Sequence, residues 1–407
     1  MVHIVIAGDY PRDPEICEIS SGVEAVVLYL SQALQEYRDL KVSVVTLDKW
    51  GLGKRTIKQK NATIYYLPCV RLPSYAYTLA NVLRLKKQML ILQPDLIHAQ
   101  VAGMYASAAA RTKLPWVLTL HGIRFLESAL WESLKSRIYR GWLIKREEFG
   151  ALKSAKHLIS ISPFIQSTFE GHLNGKMIYN IENPASDSFF RLRRNYQKGR
   201  LLFVGRMIIR KGVHTLLRAF AKVHKRFPEA TLRLAGGGIL ANDSVSYYND
   251  LKKFVHDAGL GNAVTFLGDL GESDLLREYS QCFALVLSSV LETAPMVIME
   301  AMAAGKAVVS TDVGGVRYLV EHESTGIIVP PNDGEALAEA LLRILSDENE
   351  SKAMGQRARK LAKKSFHAEV IAARTRDVYY DVLGRMPPKN LHYHLDAGKN
   401  ELSKRIL

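Results

Sequence analysis

Two glutamates, Glu292 and Glu300, stand eight positions apart in "ETAPMVIMEAMAAGKAVV", among Met296, Val297, Ala301, Ala303 and Ala304. Charged side chains are almost never fully buried without a partner, so Glu300 either points into a cleft or pairs with something fixed. A solvated face on a surface helix is the plainer alternative. Upstream, "FVGRMIIRKGVHTLLRAF" puts Arg206 and Lys211 in a loop between a strand and a helix. Two cations beside a helix N-terminus form an anion site, because free backbone N–H groups and the helix dipole add to their charge. Here the plainer alternative is a solvated basic loop. Downstream, "STDVGGVRYLVEHESTGIIVPP" places Gly314 and Gly315 directly past a strand, as a tight turn or a close approach. Acids for sugar and ribose hydroxyls, cations for a diphosphate and glycines for close approach together describe a nucleotide-sugar site.

Other nucleotide patterns fit poorly. "DKWGLGKRT" has Asp48 where a phosphate loop needs its first glycine and Arg55 where Ser or Thr should follow the lysine, which leaves Lys54 as a surface cation. "TLRLAGGGILAND" offers Gly236, Gly238 and Ala241, but a dinucleotide fingerprint opens directly into a helix. Here Asn242, Asp243 and Ser244 read as a further loop and N-cap. NAD does not follow.

Those residues need elements to position them. Pro295 suits the first turn of a helix and Gly305 the left-handed position past its end, so residues 295–304 are predicted helical. Strand-like runs alternate with helical patterns almost throughout, as in parallel sheets flanked by helices. The first half offers 3–7, 42–46, 63–67, 95–99, 116–120 and 157–161, and the second offers 201–204, 231–234, 264–267, 283–287 and 307–310. Between them "NPASDSFFRLRRNYQKGR" is rich in turn formers and then in cations, and reads as a linker. Helical segments follow near 333–346, 349–364 and 367–383. The last residues, from Gly384 and its two following prolines, show no period. Two linked sheets set the carboxyl ends of their strands across one crevice, where such folds bind ligands.

The 407 residues exceed one compact core, and 48% apolar with 23% charged residues is an ordinary globular composition. No signal peptide and no span of eighteen apolar residues is present, which predicts a cytoplasmic protein. Cys17, Cys69 and Cys282 are odd in number and widely spread, against a disulfide framework or a zinc site. The 55 Lys and Arg against 40 Asp and Glu, formally +15, suggest an anionic partner. Nucleotide phosphates and acidic lipid rank ahead of nucleic acid, which has no motif here.

The order "GRMIIRKG", "LAGGG", "VTFLGDL", "YSQCFALVLSSVLETAPMVIMEAMAAGKAVVSTDVGG" resembles the retaining glycosyltransferases of family 4, also called glycosyl transferases group 1. In the first half, "SSGVEAVVLYLSQAL" is similar to their Gly-rich loop and first helix, "DLIHAQ" to a motif usually read as "DxVHaH", and "VLTLHG" to the strand carrying their histidine. The resemblance covers about residues 1–383. It implies an α/β fold of GT-B type, two Rossmann-like doubly wound domains facing a central cleft. The expected divisions are 1–182 on the acceptor side, a linker at 183–199, a nucleotide-sugar domain at 200–365, a helix at 366–384 packing back on the first domain, and a tail at 385–407.

The resemblance also implies roles. Glu300 would bind the ribose hydroxyls and Glu292 would face the donor sugar. Arg206 and Lys211 would hold the diphosphate leaving group, His121 would lie beside the sugar, and Gly22 would belong to the loop over the phosphates. Thr293, Ala294, Pro295, Met296 and Val297 join the donor-binding set. The sequence holds no Asp-x-Asp pair, in keeping with a family that uses Arg and Lys where metal-dependent transferases use a metal, so neither cofactor nor metal is expected. The anomeric configuration would be retained, with a leaving-phosphate oxygen taking the acceptor's proton. Two positions depart from the pattern: "ETAPM" replaces a frequent "E-x-F-G-L", and Ser21 precedes Gly22 where Gly-Gly is frequent. Pro295 has no N–H to offer a sugar hydroxyl.

The acceptor side is less legible. "LWESLKSRIYRGWLIKREEF" puts Trp131, Leu134, Ile138 and Trp142 near one helical face, with Lys135, Arg137, Arg140, Lys145 and Arg146 around them. That helix either lies on an anionic membrane at the inner face or packs on the first domain with a wet basic back. A lipid-linked or envelope-polysaccharide acceptor fits the first option. The rival functions are a sugar-nucleotide epimerase of the same fold and a noncatalytic sugar-nucleotide-binding subunit.

Overall fold

The computed structural model describes residues 1–14, 19–70, 74–129, 141–193, 195–237 and 242–388. Its strands form two sheets. The first contains β1 (Val2–Ala7), β2 (Leu40–Asp48), β3 (Arg55–Gln59), β4 (Ala62–Pro68), β5 (Leu96–Gln100), β6 (Trp116–Leu120), β7 (His157–Ser160) and β8 (Met177–Asn180), in the spatial order β3-β4-β2-β1-β5-β6-β7-β8. All neighbours are parallel except β3 and β4. The second contains β9 (Arg200–Val204), β10 (Thr231–Ala235), β11 (Val264–Gly268), β12 (Ala284–Leu287), β13 (Ala307–Thr311) and β14 (Gly326–Val329), wholly parallel in the order β11-β10-β9-β12-β13-β14. The central strands are buried on both faces: every residue of β5, β12 and β13 is buried. Burial on both faces is why they show no alternation of apolar and polar residues, β12 (ALVL) being apolar throughout.

Three strands escape the periodicity reading, and each is a sheet edge. β3 alternates between half-buried and exposed residues, β8 has no buried residue, and β14 is a four-residue run. β3 and β8 bury little, so their apolar signal is weak, whereas β14 is largely buried but too short to show a period.

Local chemistry corrects several boundaries. Pro295 is the N-cap of helix Met296–Ala303, in extended backbone, rather than a first-turn residue. Gly305 takes φ +71 just past the end of that helix. Asn242, Asp243 and Ser244 lie inside helix Asn242–Asp257, not in a loop, while Gly238 and Ala241 are outside the described residues. The segment between the sheets is also more ordered than its composition suggests. It contains helix Asp187–Phe190, whose Phe189 and Phe190 are buried, and Phe189 packs edge-on to Tyr279.

Near the C-terminus, helix Ala368–Val382 lies against helix Gly22–Leu34 and β6. Its Arg376 and Tyr380 both bond Asp39, and its Tyr379 bonds His98 of β5. Residues 389–407 of the expected tail, residues 130–140 of the basic segment, and Cys17 lie outside the described residues.

Helix Glu272–Gln281 is tied to its sheet by a buried ion cluster. Glu278 takes Arg200 at 2.8 Å on one oxygen and Arg233 at 2.9 Å on the other. Burial pushes the Glu278 carboxyl up, but hydrogen bonds from Arg233 and Arg200 outweigh it and hold the pKa below the ordinary value. Removing one partner of such a cluster strands the others, so Glu278→Ala is expected to cost about 3–5 kcal/mol in urea unfolding at neutral pH. Because the folded pKa is depressed, the stabilisation is present above the unfolded value and fades as pH falls through the folded one. The gap between wild type and variant should shrink below about pH 4. A gap unchanged by acid would show that the charge contributes nothing.

Candidate active site

The chemistry gathers where strands end. His121 follows β6, Arg206 follows β9, Glu292 follows β12 and the pair Gly314-Gly315 follows β13, while Gly22 opens helix Gly22–Leu34 in the chain after β1. This is the crevice that carboxyl-end geometry predicts.

Glu292 is its centre. The carboxylate is buried, and Oε1 accepts from Lys211 Nζ at 2.5 Å and from Ser289 Oγ at 2.7 Å. Arg210 Nη1 stands 3.6 Å from Oε2 and donates to the Leu291 carbonyl at 2.8 Å. Burial alone would raise the Glu292 pKa, yet Lys211 first and Arg210 next hold it below the ordinary value. Lys211 is itself lowered by burial, against the pull of Glu292. Glu292 is therefore ionised at neutral pH, and Lys211 is a paired cation rather than the free one its loop position suggests.

Arg206 differs. It is exposed, and among the described residues it has no ion pair. Desolvation and then Arg210 lower its pKa, while Glu127 from the first domain and Glu292 from the second act the other way. Arg206, Arg210 and Lys211 thus confront one carboxylate, and a surplus of positive charge remains at the mouth of the crevice. Arg210 was not singled out from the sequence, although its place in "RMIIRKG" was the available signal.

Lys211 is presented by a turn that only glycine permits. Gly212 has φ +62 and caps helix Val213–Arg226, and an added Cβ would lie 2.0 Å from the Ser288 carbonyl oxygen. The glycine therefore opens the helix and at the same time closes this loop against the end of β12.

Glu300 answers the question of its apolar surroundings by pairing. It is buried, with Tyr279 Oη donating to its Oε2 at 2.8 Å. Tyr279 is itself fully buried and lies next to the anchored Glu278. Desolvation raises the Glu300 pKa to about 7, with Tyr279 opposing and Glu272 adding to the rise. Its other oxygen has no hydrogen bond among the described residues. No periodicity links Glu300 to a tyrosine twenty-one positions earlier.

His121 Nε2 contacts Gln100 Oε1 at 2.5 Å, while the Gln100 amide nitrogen faces His98 at 3.0 Å. An amide oxygen only accepts, so His121 carries its proton on Nε2 and leaves Nδ1 bare. Nδ1 and Asn183 Oδ1 are both buried without a hydrogen bond. Desolvation lowers the His121 pKa to about 4, with Asn183 opposing. The ring is thus neutral in the free protein, and a proton on Nδ1 would have Asn183 beside it to accept. Gln100 ends "DLIHAQ", so the motif was visible although the contact was not.

The two domains meet around "ETAPM". Thr293, Ala294, Pro295 and Met296 are buried, and Val297 is half-buried. Asn183 Nδ2 donates to the Ala294 carbonyl at 3.4 Å. A Cβ on Gly22 would stand 3.4 Å from Met296 Cγ, one on Gly314 3.2 Å from Phe164, and one on Gly315 3.1 Å from Ser162. The glycine pair's close approach is therefore made first to its own chain and to the first domain.

Comparison with known proteins decides the family. Residues 20–184 match Glycosyltransferase Family 4, and residues 185–361 match Glycosyl transferases group 1. The chain belongs to the group 1 glycosyltransferases. An uncharacterised glycosyltransferase of Methanocaldococcus jannaschii is 34% identical over 188 residues, and that match spans 46% of either chain, just under half of each. Among solved structures, sucrose-phosphate synthase of Thermosynechococcus elongatus superposes with a TM-score of 0.80 at 23% identity, covering 94% of this chain and all of that one. The Anabaena protein HepE, solved with UDP and glucose, superposes at 0.71 with 21% identity, covering 92% of this glycosyltransferase and 98% of HepE. Both neighbours show the fold, which is GT-B: two parallel-sheet domains flanking a cleft.

Proposed function

We propose that this glycosyltransferase moves a sugar from a nucleoside-diphosphate sugar to an acceptor hydroxyl with retention of configuration, without needing a metal ion. The observation that carries the reading is the cluster of Arg206, Arg210 and Lys211 around Glu292 at the mouth of the crevice. Breaking a sugar-phosphate bond leaves negative charge on the diphosphate. Cations already fixed in place stabilise that charge more in the transition state than in the ground state. Glu292 holds Lys211 and Arg210 in position and, at the sugar side, offers its carboxylate to the donor. Glu300, anchored through one oxygen, has the other for ribose hydroxyls. Retention would follow from a leaving-phosphate oxygen accepting the acceptor's proton on the same face of the sugar. His121 beside the sugar contributes a polar edge, and its Nδ1 favours protonation once an anionic donor enters. A lipid-linked or envelope-polysaccharide acceptor, and a peripheral contact of the 131–146 segment with anionic membrane, complete the proposal.

Thermal-shift screening against UDP-, GDP- and ADP-sugars without added metal tests it. A ligand at about 100 times its dissociation constant stabilises by about 2.7 kcal/mol, so one nucleotide class should raise the melting temperature and Glu300→Ala should abolish the rise. An ionised carboxylate accepts two hydroxyl bonds, so affinity should also fall as pH drops through about 7, where Glu300 takes its proton. No response to any of these donors would sink the assignment of the crevice.

A further inference from the structure

Helix Ser74–Leu92 carries apolar residues on both of its sides. Val82, Leu85 and Met89 are buried against the first sheet's helical layer, so the inward stripe is complete. Facing outward are Leu79, Leu83, Leu90 and Ile91, exposed by 38%, 51%, 41% and 62%. At 3.6 residues per turn Leu79, Leu83, Lys86 and Leu90 share one line, with Lys87 and Ile91 beside them. Leu83, Lys86, Lys87, Leu90 and Ile91 surround a shallow open groove of about 360 Å³. The helix bears Arg84, Lys86 and Lys87 and contains no acidic residue.

A surface helix that is apolar on its solvent side as well as its core side marks an interaction face. We propose that this outer face docks the enzyme on an anionic lipid surface. Charge complementarity chooses the occupant. Lysine stems reach along apolar surface while their ammonium groups stay at the level of lipid phosphates, which suits leucines inserted shallowly between headgroups. From Leu79 to Ile91 the stripe runs about 18 Å, enough to lie in a membrane plane. Among the described residues no helix is long and apolar enough to cross a bilayer. The same layer continues the pattern: helix Gly141–Ser154 packs, like Ser74–Leu92, on helix Met104–Ala110. It exposes Trp142 by 57%, with Arg146 stacked 5.6 Å from its ring. The groove shares no lining residue with the crevice, so it stands whichever sugar the crevice takes, and its test reads binding rather than transfer.

Co-sedimentation of the full chain with phosphatidylcholine vesicles, with and without phosphatidylglycerol, provides that test. Wild type is expected to pellet with the mixed vesicles at about 0.15 M salt, and far less at about 1 M, where screening is short-ranged. Each cation near an anionic surface is worth roughly fivefold in partitioning, so Lys86→Glu with Lys87→Glu should weaken binding at least 25-fold. Leu83→Ser with Ile91→Ser should weaken it at least tenfold. Unchanged melting temperatures and donor-induced shifts in both variants would show that the fold and the crevice are intact. Failure of wild type to bind mixed vesicles overturns the proposal, as does equal binding by either variant. Without vesicle binding, a dimer in sedimentation velocity that Leu83→Ser with Ile91→Ser dissolves would assign the face to a second copy of the chain instead.

Discussion

Lys211→Ala is expected to slow transfer about 10²- to 10³-fold at saturating donor, the range found when one fixed donor to developing negative charge is removed. A cation about 4 Å from a phosphate oxygen is worth about 4 kcal/mol at an effective dielectric near 20. Arg206 and Arg210 remain in the variant, which keeps the loss within that range. Lys211 also neutralises buried Glu292 at 2.5 Å, so its removal leaves that carboxylate with Arg210 at 3.6 Å and Ser289. The Glu292 pKa should then rise, and the variant's rate should acquire an acid limb at higher pH than wild type, because protonation disables the carboxylate. Rates from single turnovers across pH 5 to 9, alongside urea unfolding, separate this from a simple loss of stability. A rate within about threefold of wild type would remove Lys211 from the leaving-group role.

Gly314→Ala should be as damaging, for a geometric reason. An added Cβ would lie 1.7 Å from the Glu292 carbonyl oxygen, at a residue with φ +54. Neither atom has room to give, since Phe164 closes the other side at 3.2 Å. The backbone carrying Glu292 must therefore move, and a displacement near 1 Å at a reacting centre costs about 10² in rate. Gly259→Ala is the control: its φ is +66, but nothing lies within 4 Å of its added Cβ. It bears only the left-handed penalty of about 1–2 kcal/mol. The expected result is loss of donor-induced stabilisation and at least a hundredfold loss of kcat/KM in Gly314→Ala, with Gly259→Ala near wild type in activity. Equal activity in both would show that the loop absorbs the methyl group and that the close approach is not needed.

The same contrast separates what was readable along the chain from what was not. The buried parallel strands, the crossings between them, helix 296–303, the left-handed Gly305 and the family motifs are local: each follows from periodicity or from one residue's backbone freedom. Glu292, Glu300, Arg206, Lys211 and His121 could be nominated because their types are unusual for their places. Their partners could not be. Lys211 meets Glu292 across 81 positions, His121 meets Gln100 across 21, and Tyr379 reaches His98 across 281. No repeat in the sequence encodes such separations, because they depend on which strand ends the sheet order sets side by side. For the same reason neither Arg210 beside Glu292 nor Tyr279 beside Glu300 stood out along the chain. Periodicity along the chain is enough for two linked parallel sheets with charged groups at the strand ends, and the family motifs add the GT-B plan. Which charges neutralise one another, and which stay exposed at the crevice as Arg206 does, follows from the folded neighbourhood, because burial and pairing are three-dimensional properties.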